Sequence, residues 1–248
     1  MPNWVIQQLV FKGEQSELDK IEEYVKSEKR LFDFNKVIPR PEEYDHTVSG
    51  TDTEFGLWLL GLTVPDQVFD LKLLPTQDSA QFEYAKVLAD NIQKRKYPKP
   101  TKQPSFETKE QALIWFEENN PKLIANARLS KECLDKYGYS DWYSWSIEKW
   151  GTKWNLPSIE DDKITITKEP GSLIYRFETA WSCPLPVIEK IVADFPTCTL
   201  EHTYIDEGYG FWGITNYENG QLLSDTDSDP VYLETIEQLF GFNNDDED

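Results

Sequence analysis

The chain has little of the material from which catalytic and metal centres are built. In 248 residues it has two histidines, His46 and His202, three cysteines, Cys133, Cys183 and Cys198, and one methionine. Two histidines leave almost nothing for a His-rich metal site or a two-His relay, and no G-x-S-x-G, P-loop or H-E-x-x-H occurs. No metal and no cofactor are expected. An odd number of cysteines without C-x-x-C spacing points away from a disulfide framework and toward a reducing compartment, the cytoplasm. Long apolar runs are also missing. The longest, FGLWLLGLTVP from Phe55 to Pro65, falls well short of the ~20 residues of a spanning helix. The opening MPNWVIQQLVFKGEQ lacks the basic and apolar regions of a secretory signal. Neither a membrane nor export is expected.

Positive charge is missing from one region in particular. The chain has 45 Asp and Glu against 25 Lys and Arg, a formal charge of -20, yet Glu201 to Asp248 holds 13 acids and no base, and the last base is Lys190. A surface without cations cannot release counterions from a phosphate backbone, so direct nucleic-acid binding by this part is disfavoured. A basic partner is favoured.

Aromatic residues, by contrast, are abundant: 14% of the chain, with nine tryptophans. Much of the burial must therefore come from rings. Three tryptophans crowd into WSIEKWGTKWN, Trp145 to Asn155, and TAWSCP follows. Read as a strand, Gly151 to Asn155 puts Trp150, Thr152 and Trp154 on one side and Lys153 and Asn155 on the other. Trp181 then joins a cross-strand ladder of indoles.

The remaining pattern is β-α at the front. Trp4 to Gly13 reads as a strand, and Ser16 as the cap of a helix running to about Glu28. Leu31 to Glu43 reads as an extended connection broken by prolines. Helices are expected over Thr53 to Leu62, Ser79 to Gln93, Lys109 to Asn119 and Pro121 to Tyr137, with KRKYPKPTK, Lys94 to Lys102, as a linker or exposed loop. Strands follow over Lys163 to Lys168 and Ser172 to Trp181, then a helix from Pro184 to Asp194. Strands over Thr197 to Ile205 and Tyr209 to Tyr217 lead to a last helix, Pro230 to Phe240, and the acidic tail NNDDED. This order implies an α+β fold: a ferredoxin-like antiparallel sheet built from both chain ends, with a mostly helical insertion. The expected boundaries are 1–46, 47–140 and 141–248.

MPNWV, FNKVIPRPEE, EKWGTKWN, FETAWSCPLPV and YIDEGYGFWG together resemble the phage- and plasmid-borne YubB-like proteins, whose C-terminal part is a ferredoxin-like domain of unknown function. The resemblance implies a mobile genetic element and a fold, and it carries no catalytic residue over. Val5 and Gln7 stand where that family's opening usually has Cys and Asn.

Single residues add little chemistry. Asp225, Asp227 and Asp229 imitate the start of an EF-hand loop, but Pro230 and Ile236 occupy the positions of its Gly and its bidentate Glu. Asp229 as a helix cap with Pro230 behind it explains the same residues. His202 reads as a half-exposed sheet residue, Asp206 with Glu207 and Asp161 with Asp162 as turn acids, and Cys183 as a buried filler.

The expected function is non-enzymatic: an accessory protein whose acidic surface imitates DNA and blocks a basic host defence protein, a nuclease or CRISPR effector. Asp225, Asp227, Asp229, Glu234 and Glu237 would carry it, with Tyr209 and Trp212 as anchors. The competing expectation is a pocket lined by Trp145, Trp150 and Trp181 that takes a nucleotide or small signalling molecule, with or without turnover.

Overall fold

The computed structural model describes residues 2–62, 77–96, 104–161 and 163–241. Most of KRKYPKPTK, the acid Asp162 and the tail NNDDED lie outside the described residues. The chain divides into two compact units, one of Met1–Arg40 with Trp145–Asp248 and one of Pro41–Ser144.

The first unit is built on strand β1, Trp4–Lys12, whose neighbours on both sides come from the far end of the chain. On one side β1 pairs antiparallel with β3, Ser172–Ala180, from Trp4 opposite Ala180 to Lys12 opposite Ser172. On the other it pairs with β4, Thr199–Asp206, from Val5 opposite Asp206 to Lys12 opposite Thr199. Adding β2, Thr165–Glu169, β5, Trp212–Glu218, and β6, Gln221–Asp225, gives six strands in the order β2-β3-β1-β4-β5-β6, every neighbouring pair antiparallel. The first four strands, with helix α1 (Gln15–Val25) after β1 and helix α8 (Leu185–Asp194) between β3 and β4, make the ferredoxin-like split β-α-β layout. β5 and β6 extend it by a hairpin.

Alternation along the strands explains which face is filled. Leu9 and Phe11 of β1, Tyr175 and Phe177 of β3 and Leu200 of β4 point to one side and are buried. Leu18, Ile21 and Val25 recur on the buried face of α1. Phe32 and Phe34 complete a ring cluster, with Phe32 5.2 Å from Tyr175 and 5.5 Å from Phe177 between centroids. Each such pair contributes about 0.5–1.5 kcal/mol beyond the area it buries.

The second unit is helical: α3 (Thr51–Leu59), α4 (Gln77–Lys96), α5 (Lys109–Asn119) and α6 (Pro121–Tyr137), preceded by a short turn of 3-10 helix, Glu42–His46. Phe55, Trp58, Phe116, Leu123 and Ile124 form its core. Gly56 lets α3 and α6 approach closely, since a Cβ there would lie 2.6 Å from that of Ala127. The unit begins before the expected junction at 46/47 because Tyr44 belongs to it. Its ring lies 5.6 Å from that of Tyr137, and its hydroxyl donates to the Tyr139 carbonyl at 2.9 Å.

Four local expectations are corrected. The first helix starts at Gln15 with Glu14 as its cap, so Ser16 lies inside the first turn. The connection over Leu31 to Glu43 contains a helical turn, α2, Phe34–Val37, capped by Asp33. The strand expected over Gly151 to Asn155 is absent: Trp142–Trp150 is helix α7, and 151–155 is an irregular turn. Asp141 starts α7 by accepting the Tyr143 and Ser144 amides at 2.9 and 3.0 Å. Gly151 ends it at φ +80, where a Cβ would meet the Cys183 carbonyl at 2.8 Å. Finally, His202 is fully buried.

Candidate functional site

The residues that look most distinctive in the sequence form a structural joint. Thr152 donates its hydroxyl to the Ala180 carbonyl at 2.8 Å, and Ser182 donates its hydroxyl to the Gly151 carbonyl at 2.6 Å. Asn155 accepts the Phe34 and Leu156 amides on its side-chain oxygen, at 3.0 and 2.8 Å, and donates to Asp33 at 2.6 Å. Trp150 donates its indole N–H to the Ile38 carbonyl at 2.9 Å. W-G-T-K-W-N and T-A-W-S-C-P are thus bonded to each other and to the segment after α1. Their hydrogen-bonding capacity serves the fold.

Of the three tryptophans expected to line a pocket, two are packed in the interior and one is exposed. Trp145 and Trp150 are 5% and 1% exposed and pack edge to face, 5.3 Å between centroids. Trp181 stands apart, 46% exposed and at φ +74, its amide donating to the Asn3 carbonyl. A cleft in this unit, about 270 Å³, has Trp4 and Trp154 as aromatic walls and Asp161, Lys163 and Glu178 as charged lining. Trp154 carries the Lys153 ammonium over its ring at 4.5 Å.

Behind the cleft's Thr179 runs a buried polar chain. Gln7 donates to the Thr179 hydroxyl and accepts from Nε2 of His202 at 2.9 Å, which leaves Nδ1 of His202 without a partner. Desolvation in this fully buried place lowers the imidazole from 6.5 to about 3, so it is neutral at physiological pH. Cys183 is also buried, and desolvation, reinforced by Asp227 and Asp225, pushes its thiol far up, which keeps it protonated and inert.

The acids singled out in the sequence lie at the other end of the sheet, on β6, on the turn that follows, and on α9, Pro230–Phe240. Each has a local task. Asp225 accepts from the Thr215 hydroxyl at 3.3 Å and Asp227 from the Tyr204 hydroxyl at 3.4 Å. Asp229 caps α9 by accepting the Val231 amide at 3.0 Å, with Pro230 in the first turn. Glu234 accepts from Gln238 at 3.3 Å. Tyr209, 39% exposed, has its hydroxyl raised by desolvation and then by Glu237, to which it is hydrogen-bonded. Trp212 donates its indole N–H to the Asp229 carbonyl at 3.0 Å. Asp225, Asp227 and Glu234 remain exposed, and their carboxylates keep free lone pairs.

A family model described as the ferredoxin-like domain in Api92-like protein matches residues 149–239. The C-terminal part is similar to that ferredoxin-like domain. The match runs from the end of α7 into α9 and leaves out β1 and α1, which complete the same sheet. The chain is also 30% identical over 87 residues to the uncharacterized protein YubB of Escherichia coli K12, a stretch covering 33% of this chain and 54% of that protein. It thus spans about half the length of the curated relative it matches. Among solved structures it is similar to the crystal structure of a protein api92 from Yersinia pseudotuberculosis, at 15% identity and a TM-score of 0.42 over 92% of this chain and 98% of that one.

Within residues 149–239 the sequence reading missed β6. Leu222 and Leu223, at 58% and 66% exposed, stand on it beside the acids. Its signal was present in Y-E-N-G-Q, since Asn-Gly is the strongest short hairpin cue. Asn219 and Gly220 take φ +52 and +76 there. Among the described residues no three His, Cys, Asp or Glu gather as a metal site, and no helix is long and apolar enough to cross a membrane.

Proposed function

We propose that this protein is a binding module that engages a basic protein surface through the β6–α9 end of its ferredoxin-like domain. One observation carries the reading: from residue 191 onward the sequence has no Lys or Arg, and the described part of that stretch sets exposed carboxylates beside exposed apolar side chains. An uncompensated negative field speeds encounter with a cationic surface, and apolar contact then holds it. In its specific form the partner is the nucleic-acid groove of a host defence protein, a nuclease or CRISPR effector, and the gene travels on a phage or plasmid. That form rests on the resemblance to YubB-like proteins. Asp225, Asp227 and Glu234 are the contact acids, with Tyr209 at the rim.

The test compares wild type with Asp225→Asn/Asp227→Asn/Glu234→Gln/Glu237→Gln for capture of host-lysate proteins at low and high salt. Basic nucleic-acid-binding proteins should be held at low salt by the wild type and lost by the variant. Equal capture by both overturns the reading.

A second reading is favoured by the cleft between Trp4 and Trp154, which offers stacking faces to a nucleotide or small signalling molecule. Saturable quenching of Trp fluorescence by a nucleotide panel would support it, and its loss in Trp154→Ala would place it.

A further inference from the structure

The sheet has two edges, β2 and β6, each five residues long, and they are finished differently. β2 reads TITKE. Its Thr165, Thr167, Lys168 and Glu169 are exposed, and Lys168 pairs with Glu22 at 2.6 Å. Polar side chains and a lysine are the usual means of keeping an edge from pairing with other chains.

β6 reads QLLSD and has neither lysine nor proline. All five residues are exposed, two of them leucines. The register slips between Asn216 and Tyr217, which face Ser224 and Leu222, so Leu223 is the unpaired extra residue of a bulge. Among the described residues no further strand pairs with β6, and its outward N–H and C=O groups face away from β5.

We propose that β6 is a docking strand for an extended basic polypeptide segment, which adds to the sheet through the backbone of Gln221–Asp225. Its cations would lie against Glu218, Asp225 and Asp227. Charge selects this occupant. Glu218 sits opposite Gln221 in the hairpin, Asp225 ends the strand, and Asp227 follows two residues on, all exposed and with no base nearby in sequence. A second copy pairing at the same edge would set these acids against their own images. A basic strand meets complementary charge, gains main-chain hydrogen bonds, and covers Leu222 and Leu223. The inference rests on the acidic-surface reading above and adds how the partner is held.

The probe is an eight-residue peptide alternating lysine and valine, offered to the full chain at low salt. A control peptide carries N-methyl groups on alternate residues, which preserves charge and removes strand pairing. The readout is amide hydrogen exchange. The plain peptide should slow exchange in Gln221–Asp225 about tenfold or more. The methylated peptide, and the plain peptide on Glu218→Gln/Asp225→Asn/Asp227→Asn, should not. Protection that survives methylation, or that appears elsewhere and leaves β6 unchanged, overturns edge docking. If association nevertheless falls in the amide variant, the acidic reading stands without the edge. Protection that survives in the amide variant overturns both, because the cations are then idle. Protection of β6 that rises with protein concentration alone identifies a second copy as the occupant and overturns the proposal.

Discussion

The joint at 151–155 and the acidic corner at β6–α9 belong to the same domain and use their polar groups in opposite ways. At the joint, Thr152, Asn155 and Ser182 all give their side-chain hydrogen bonds to partners inside the protein, and Thr152 is fully buried. At the corner, Asp225 and Asp227 accept only long hydroxyl bonds of 3.2–3.4 Å and keep the rest of their surface in water. Residues that are chemically conspicuous in the sequence therefore need not be the ones that meet a ligand. A rare indole or a T-K-W-N run marks a place where the chain has to be tied down. The surface left for recognition is built from plain leucines and aspartates.

Substitution at the joint is the hardest way to break this contrast. Asn155→Ala removes three hydrogen bonds and leaves Asp33, 7% exposed, with the Asn35 amide but without its side-chain donor. A loss of ~3 kcal/mol in urea unfolding is expected, since each of the three lost bonds contributes ~1 kcal/mol. A loss below ~1 kcal/mol would mean that the joint is not what holds the domain.

The next effect tests the buried chain that lies between the two regions. His202 is neutral in the fold, with a folded value of about 3 against 6.5, so the unfolded chain binds the proton first. Stability is thus unaffected above the unfolded value and falls as pH drops from about 6.5 toward about 3, by up to ~1.4 kcal/mol per pH unit. Between pH 7 and pH 5 the wild type should lose ~2 kcal/mol more than His202→Gln in matched urea titrations. Parallel losses would remove the imidazole as the cause.

How much of this was legible depends on the kind of signal. Helices α5 and α6 and the last helix α9 have the expected bounds because Asn120-Pro121 and Asp229-Pro230 are local punctuation. The central place of β1 followed from chain order through the split β-α-β rule. Helix α7 was not read at all, and a strand was expected just after it because aromatic residues favour strands, while its capping aspartate lies outside the tryptophan run. The burial of His202 was illegible because Gln7, its partner, is 195 residues away, and a two-residue alternation does not say which face is closed. The joint was misread for the same reason: its bonds link Phe34, Gly151 and Ala180, segments that become neighbours only once the sheet has formed.

Asp229 gives the finest test, because it sits in the acidic corner yet behaves like a joint residue. Its carboxylate caps α9, and its carbonyl accepts the Trp212 indole N–H. Asn caps a helix about as well as Asp, whereas Ala does not. Asp229→Ala should therefore cost ~1 kcal/mol in unfolding, and Asp229→Asn only a few tenths, while both remove the same charge from the surface. If the two variants weaken capture of a basic partner equally, charge is what the corner contributes at this position. If only the alanine variant does, Asp229 acts by holding α9 in place and belongs with Asn155, and the line between the two regions runs through the turn before α9.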